Sequence, residues 1–125
     1  MNAIDMARTA YTSASTAPIK TPRRLEFDAL AKISHRLRRA LMKGKSDFPG
    51  LAEALHDNRR IWTMFAAAVA EDDNELPADL RGRIFYLFQV TDEFTKKVLR
   101  GEDDGAVLIE INAAILRGLG HGDGE

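Results

Sequence analysis

Leu51-Ala-Glu-Ala-Leu-His-Asp-Asn-Arg-Arg-Ile-Trp62, continued by Thr63-Met-Phe-Ala-Ala-Ala-Val-Ala70, sets apolar side chains at Leu51, Ala54, Leu55, Trp62, Phe65 and Val69. This spacing keeps them on one face of an α-helix and would scatter them over both faces of a strand. Ile61, Ala66 and Ala68 widen the face, so the spacing predicts a helix over about 50–70 that is the central, most buried element. One polar residue breaks the stripe. Asn58 sits between Leu55 and Trp62, where an amide is tolerated only if it is hydrogen-bonded. It reads either as a buried amide that fixes helix register, for instance by bonding a helix terminus, or as a polar contact inside a partner's groove. Leu55 and Trp62, the single tryptophan, are expected in the core, with the indole N–H partnered.

Toward the N-terminus, Thr21-Pro22 has the composition of a helix start, because proline at the first helical position gives up only a donor that would be unpaired anyway. Leu25, Ala29, Leu30, Ile33, Leu37, Ala40 and Leu41 follow at helical spacing until Gly44, which predicts a helix over 22–43. Lys45 to Gly50 is a connector. Beyond the central helix, the acidic run Glu71 to Glu75 ends the pattern and Leu76-Pro77 reopens it. Leu80, Ile84, Leu87, Phe88, Thr91, Phe94 and Val98 predict a helix over 77–100, closed by Arg100-Gly101. Asp103 or Asp104 caps a last helix over 104–118, whose stripe is Val107, Leu108, Ile111 and Ile115.

Residues 1–20 read as a partly flexible N-terminal segment: Ile4, Met6, Ala7, Ala10 and Tyr11 suit two or three helical turns, and Thr12 to Pro18 is small and polar. The glycine-rich end predicts a disordered tail at 120–125. The expected fold is all-α: a small bundle of four main helices plus a short N-terminal helix, with residues 21–119 forming a single domain.

Composition narrows the function. The 125 residues contain no cysteine, which excludes a disulfide framework and a thiolate metal site. The longest strictly apolar runs, such as Met64 to Ala70, fall far short of the roughly 20 residues that span a bilayer, and no signal-peptide pattern opens the chain. A cytoplasmic protein with no membrane partner is the expectation. His35, His56 and His121 show no metal-ligand spacing, and no phosphate-binding loop or nucleophile elbow is present. The carboxylates cluster in connectors, as solvated loop charge does. No catalytic residue, metal site or cofactor is expected.

Charge is uneven along the chain. Residues 20–45 carry nine Lys/Arg against two acids, whereas residues 46–125 carry eight against sixteen. Lys32, Arg36, Arg39 and Lys43 therefore offer a phosphate-binding face for RNA. Phe27 is nevertheless the only aromatic in that helix, so the rings that stack single-stranded bases are missing. A solvated face, or two oppositely charged helices packed side by side, explains the same pattern. The helix at 77–100 is apolar over more than one face. Phe85, Tyr86 and Val90 lie at or beyond the edge of its core stripe, and surplus apolar surface marks a partner site or a homodimer interface.

LAEALHDNRRIW at 51–62, NELP at 74–77 with Leu80-Arg81, LRGEDD at 99–104 and INAAILRGL at 111–119 resemble, in order and spacing, the flagellar FlaF family. TPRRLEFDALAKISHRL, from Thr21, fits the start of the same pattern, so the resemblance covers about residues 20–119. RRIWTMF is bulkier and IFYLFQVTDEF more aromatic than the family pattern, and neither touches the diagnostic pieces. The resemblance implies a small helical factor required for normal flagellin production, acting beside the regulator FlbT. It implies a flagellin-binding, chaperone-like role in synthesis and secretion, with RNA-level regulation of flagellin message as the alternative.

Overall fold

The computed structural model describes the backbone of residues 22–124 and the side chains of residues 26–118. The expectations for Thr21 and for the N-terminal segment 1–20 fall outside these residues. Helix α1 spans Pro22–Lys43, a 3-10 turn follows at Gly44–Asp47, and three more helices complete the fold: α2 at Phe48–Ala70, α3 at Ala78–Leu99 and α4 at Ala106–Gly124. Among the described residues there is no strand.

Each boundary has a local cause. Helix α2 begins two residues before the expected start because Asp47 caps it, its carboxylate accepting from Gly50 N at 3.2 Å, with Pro49 in the first turn. Helix α3 stops in a Schellman turn: Gly101 takes φ +76°, its N–H donates to Val98 O, and Glu102 N donates to Lys97 O. Of the two candidate caps of α4, Asp104 accepts from Ala106 N, the first residue of the helix, and Asp103 holds the turn before it by accepting from Gly105 N. Gly105 itself has φ +81°, and a Cβ there would lie 2.7 Å from Leu41 Cδ2 of α1. Glycine is needed at this point for its backbone, and a Cβ would in addition push the Leu41 side chain aside. The helical backbone of α4 runs on to Gly124, past the expected 118 and through the residues read as a disordered tail. Among the described residues only Gly44, Gly101 and Gly105 take the positive φ that ends a helix, so Gly118 does not stop α4.

The helices pack in chain order, and α4 returns against α1; the seam between α3 and α4 is the most open. Two apolar clusters fill the interior. Leu30, Ile61, Trp62, Phe65 and Ile111 form one, and Leu37, Leu51, Leu55, Val98 and Leu108 the other. A fully buried residue such as Leu30, Leu55 or Leu108 contributes about 1.5–3 kcal/mol of burial. Between the clusters lies a polar layer to which every helix contributes: Ser34, Asn58, Thr91 with Thr95, and Asn112. No described helix is long and apolar enough to cross a membrane.

Candidate functional site

The polar layer shows where Asn58 and Trp62 stand. Both are fully buried, as is Leu55. The Asn112 amide uses every hydrogen-bonding group it has: its Oδ1 accepts from Trp62 Nε1, and its Nδ2 donates to Asn58 Oδ1 and to Ser34 Oγ, each at 2.8 Å. One side chain of α4 thereby ties down α1 and α2. Asn58 is held by another helix's side chain and not by a helix terminus. Among the described residues, Asn58 Nδ2 and Thr91 Oγ1 have no hydrogen-bond partner. Asn112 is the residue that sequence reasoning misses, although it interrupts the stripe between Leu108 and Ile115 as Asn58 interrupts its own.

At the end of the bundle where α2 gives way to α3, the helices leave an open groove of about 800 Å³. Ala68, Ile84 and Ile115 give it accessible apolar surface over the buried Trp62 and Phe65, and Glu26, Glu71, Asp73 and Glu75 line it as well. The connector that forms one wall is pinned. Asn74 Nδ2 donates to Ala68 O at 3.0 Å, and Arg81 donates from Nε to Val69 O and from Nη2 to Glu71 O, both at 2.9 Å. Two side chains thus bond Ala68 O and Val69 O in the last turn of α2, beside the Glu71 N–H that also donates to Ala68 O. Arg81 reads in the sequence only as a polar residue of an amphipathic helix, and nothing there marks it as a cap.

On the outer face of the same turn of α3 as Ile84, Phe85 is 42% and Tyr86 63% exposed. The Phe85 ring leans on Phe88 at 5.9 Å between centroids. Val90, expected beside them off the core stripe, is half-buried and packs against the Trp62 cluster. Apolar surface is therefore open at Phe85 and Tyr86, while Val90 belongs largely to the core. Met42, Phe48 and Leu99 are also exposed, near the other end of the bundle.

Lys32, Arg36, Arg39 and Lys43 are all exposed on α1. Arg36, Arg39 and Lys43 share a cleft with Asp47, Glu53 and Asp57, so carboxylates at the start of α2 offset their field locally. The uneven charge of the chain is, at this face, the charge of two neighbouring helices. Arg59 of α2 pairs with Asp92 of α3 at 2.6 Å, and Lys96, one turn further along α3, pairs with the same carboxylate at 3.2 Å. Among the described residues no three His, Cys, Asp or Glu side chains are grouped to hold a metal ion.

The model of one protein family, described as flagellar protein FlaF, matches residues 7–119. No curated protein and no solved structure matches the chain.

Proposed function

This chain belongs to the FlaF family of flagellar proteins, and from that premise we propose that it binds unassembled flagellin and supports flagellin synthesis and secretion without catalysing a reaction. The observation that carries the reading is a groove lined by apolar and acidic side chains beside two exposed aromatics of α3, Phe85 and Tyr86. An amphipathic helix presents one apolar face, and a groove of this kind receives such a face while water is excluded. The resemblance to the family implies that flagellin termini are helices of that type, in need of shielding before export. FlbT is the proposed second partner, in the cytoplasm.

The test is capture of purified unassembled flagellin, alone and then with FlbT, at two salt concentrations. Capture should change little between roughly 50 and 200 mM salt, because apolar burial is insensitive to screening. A grip on RNA through Lys32, Arg36, Arg39 and Lys43 would weaken steeply over that range. Flagellin that fails to bind with or without FlbT, together with salt-sensitive binding of flagellin message, would replace this reading by the RNA one.

A further inference from the structure

We propose that the outer face of α3 is the docking site of a second copy of this chain, the two helices pairing antiparallel about a two-fold axis. The residues of α3 turned away from the bundle are Asp79, Gly82, Tyr86, Gln89, Glu93 and Lys96, and all are exposed. They alternate at three and four, the period that keeps one stripe facing a partner helix along its whole length. Arg100, at the same spacing, carries the stripe just past the helix end.

Charge order names the occupant. The stripe is acidic where it begins, at Asp79 behind Glu75 of the connector, aromatic near its middle, and basic where it ends, at Lys96 and Arg100. Glu93, in the second half, already pairs with Lys97 at 3.7 Å. A partner that complements this order must carry it reversed, and an antiparallel copy does so by symmetry. Asp79 and Lys96 lie equally far, about 13 Å, on either side of the point midway between Leu87 and Phe88. With the two-fold axis there, Asp79 of each copy meets Lys96 of the other, and Glu75 approaches Arg100, at both ends of the interface. Lys96 and Arg100 also pair within their own chain, with Asp92 and Glu102, yet their side chains are 55% and 58% exposed and stay open to a second carboxylate.

The centre of the pair is aromatic. The two Tyr86 residues come within about 5 Å of each other along the axis, with Phe85 beside each, where the binding energy of an interface concentrates. Gly82 adds room: a Cβ there would meet nothing within 4 Å, so its backbone is the local surface and a second helix can approach closely. One helix face buries less than the roughly 800 Å² per partner of a standard interface, so the dimer holds with a Kd on the order of micromolar or weaker. Paired this way, the chain covers its own Phe85 and Tyr86, and a flagellin helix reaches them only by displacing the second copy. That competition rests on the flagellin reading, whereas the self-pairing does not.

Sedimentation of the full chain over a concentration series measures the dimer. Asp79→Lys and Lys96→Glu, each alone, set two like-charge contacts across the axis and should weaken self-association about tenfold or more. Mixing the two variants should restore it to within about threefold of wild type, because each contact of a mixed pair again joins opposite charges. Restoration in the mixture also shows that both variants are folded. Tyr86→Ser should weaken the dimer without lowering the melting temperature. A wild-type chain that stays monomeric at about 1 mM, a dimer that either reversal or Tyr86→Ser leaves intact, or a mixture that stays monomeric would overturn the proposal. An intact dimer would put the second copy on another face. Unassembled flagellin should then dissociate the wild-type dimer. Flagellin bound to intact dimers would end the competition and leave the self-pairing standing, and flagellin that binds neither form counts against the flagellin reading alone.

Discussion

Trp62 Nε1 donates to Asn112 Oδ1 at 2.8 Å, joining α2 to α4 across a diagonal of the bundle on which the two helix backbones do not come into contact. A side-chain bond between two fully buried residues thus spans the interior that the apolar clusters enclose from either end. A buried amide bonded on both its oxygen and its nitrogen, as Asn112 is, specifies register, because a slip of one helix breaks several of its bonds at once.

Asn112→Ala should therefore be among the more damaging substitutions in the protein. It leaves the Trp62 N–H and Asn58 Oδ1 without partners and opens a cavity, at a cost of about 2–4 kcal/mol. Urea unfolding measures it. A loss below about 1 kcal/mol would show that the layer relaxes around the gap.

Trp62→Ala should cost about 3–5 kcal/mol as a large-to-small core change. Trp62→Phe keeps most of the ring volume, removes the donor and should cost less. If thermal unfolding of Trp62→Ala matches wild type while flagellin capture collapses, Trp62 acts at an interface and its core placement fails.

Tyr86→Ser should leave stability within about 0.5 kcal/mol, since most of the ring faces solvent. Val90→Ser should destabilise by about 1–2 kcal/mol, because Val90 packs against the Trp62 cluster. Melting separates the two, and flagellin capture is then read on Tyr86→Ser and Phe85→Ser. Tenfold weaker capture, about 1.4 kcal/mol, at unchanged melting places the contact on this face of α3. Undiminished capture by both variants moves the contact off this face.

Arg81→Ala removes two charged hydrogen bonds to the end of α2 and should cost about 1–3 kcal/mol. Its signature is local: amide exchange should quicken over residues 68–76 more than in α1 or α4. Uniformly faster exchange would mean that Arg81 supports the whole bundle and not the groove wall in particular.

Gly105→Ala should destabilise by about 1–3 kcal/mol, from the positive φ and from crowding against Leu41. Gly82→Ala, in an open helical position, should be neutral or slightly stabilising. The pair is read by thermal unfolding, and equal effects would remove the argument from close approach.

Four helices and most of their ends are legible in the amino-acid sequence alone. Helical periodicity is a local property, and so are the boundaries: Asp47 and Pro49 start α2, Gly101 ends α3 and Gly105 leads into α4, each within a few residues of itself. The stop expected near Gly118 fails because glycine permits a left-handed turn without requiring one. Asn58 is legible as an oddity, but its partner is not: Asn112 lies 54 positions away, and only the packing of both α2 and α4 against α1 brings the two amides within 2.8 Å. The site is half legible. Phe85 and Tyr86 stand out as surplus aromatics in the sequence, yet Val90, equally off the stripe, is half-buried, because exposure depends on where a neighbouring helix falls. The groove has no signature in any one segment, since its accessible apolar surface comes from three helices and its acids from α1 and the α2–α3 connector. Short-range spacing and capping decide where each helix lies along the chain. Which faces meet, which amides pair and which end stays open are decided by contacts between residues far apart in sequence, and those exist only once the helices have packed.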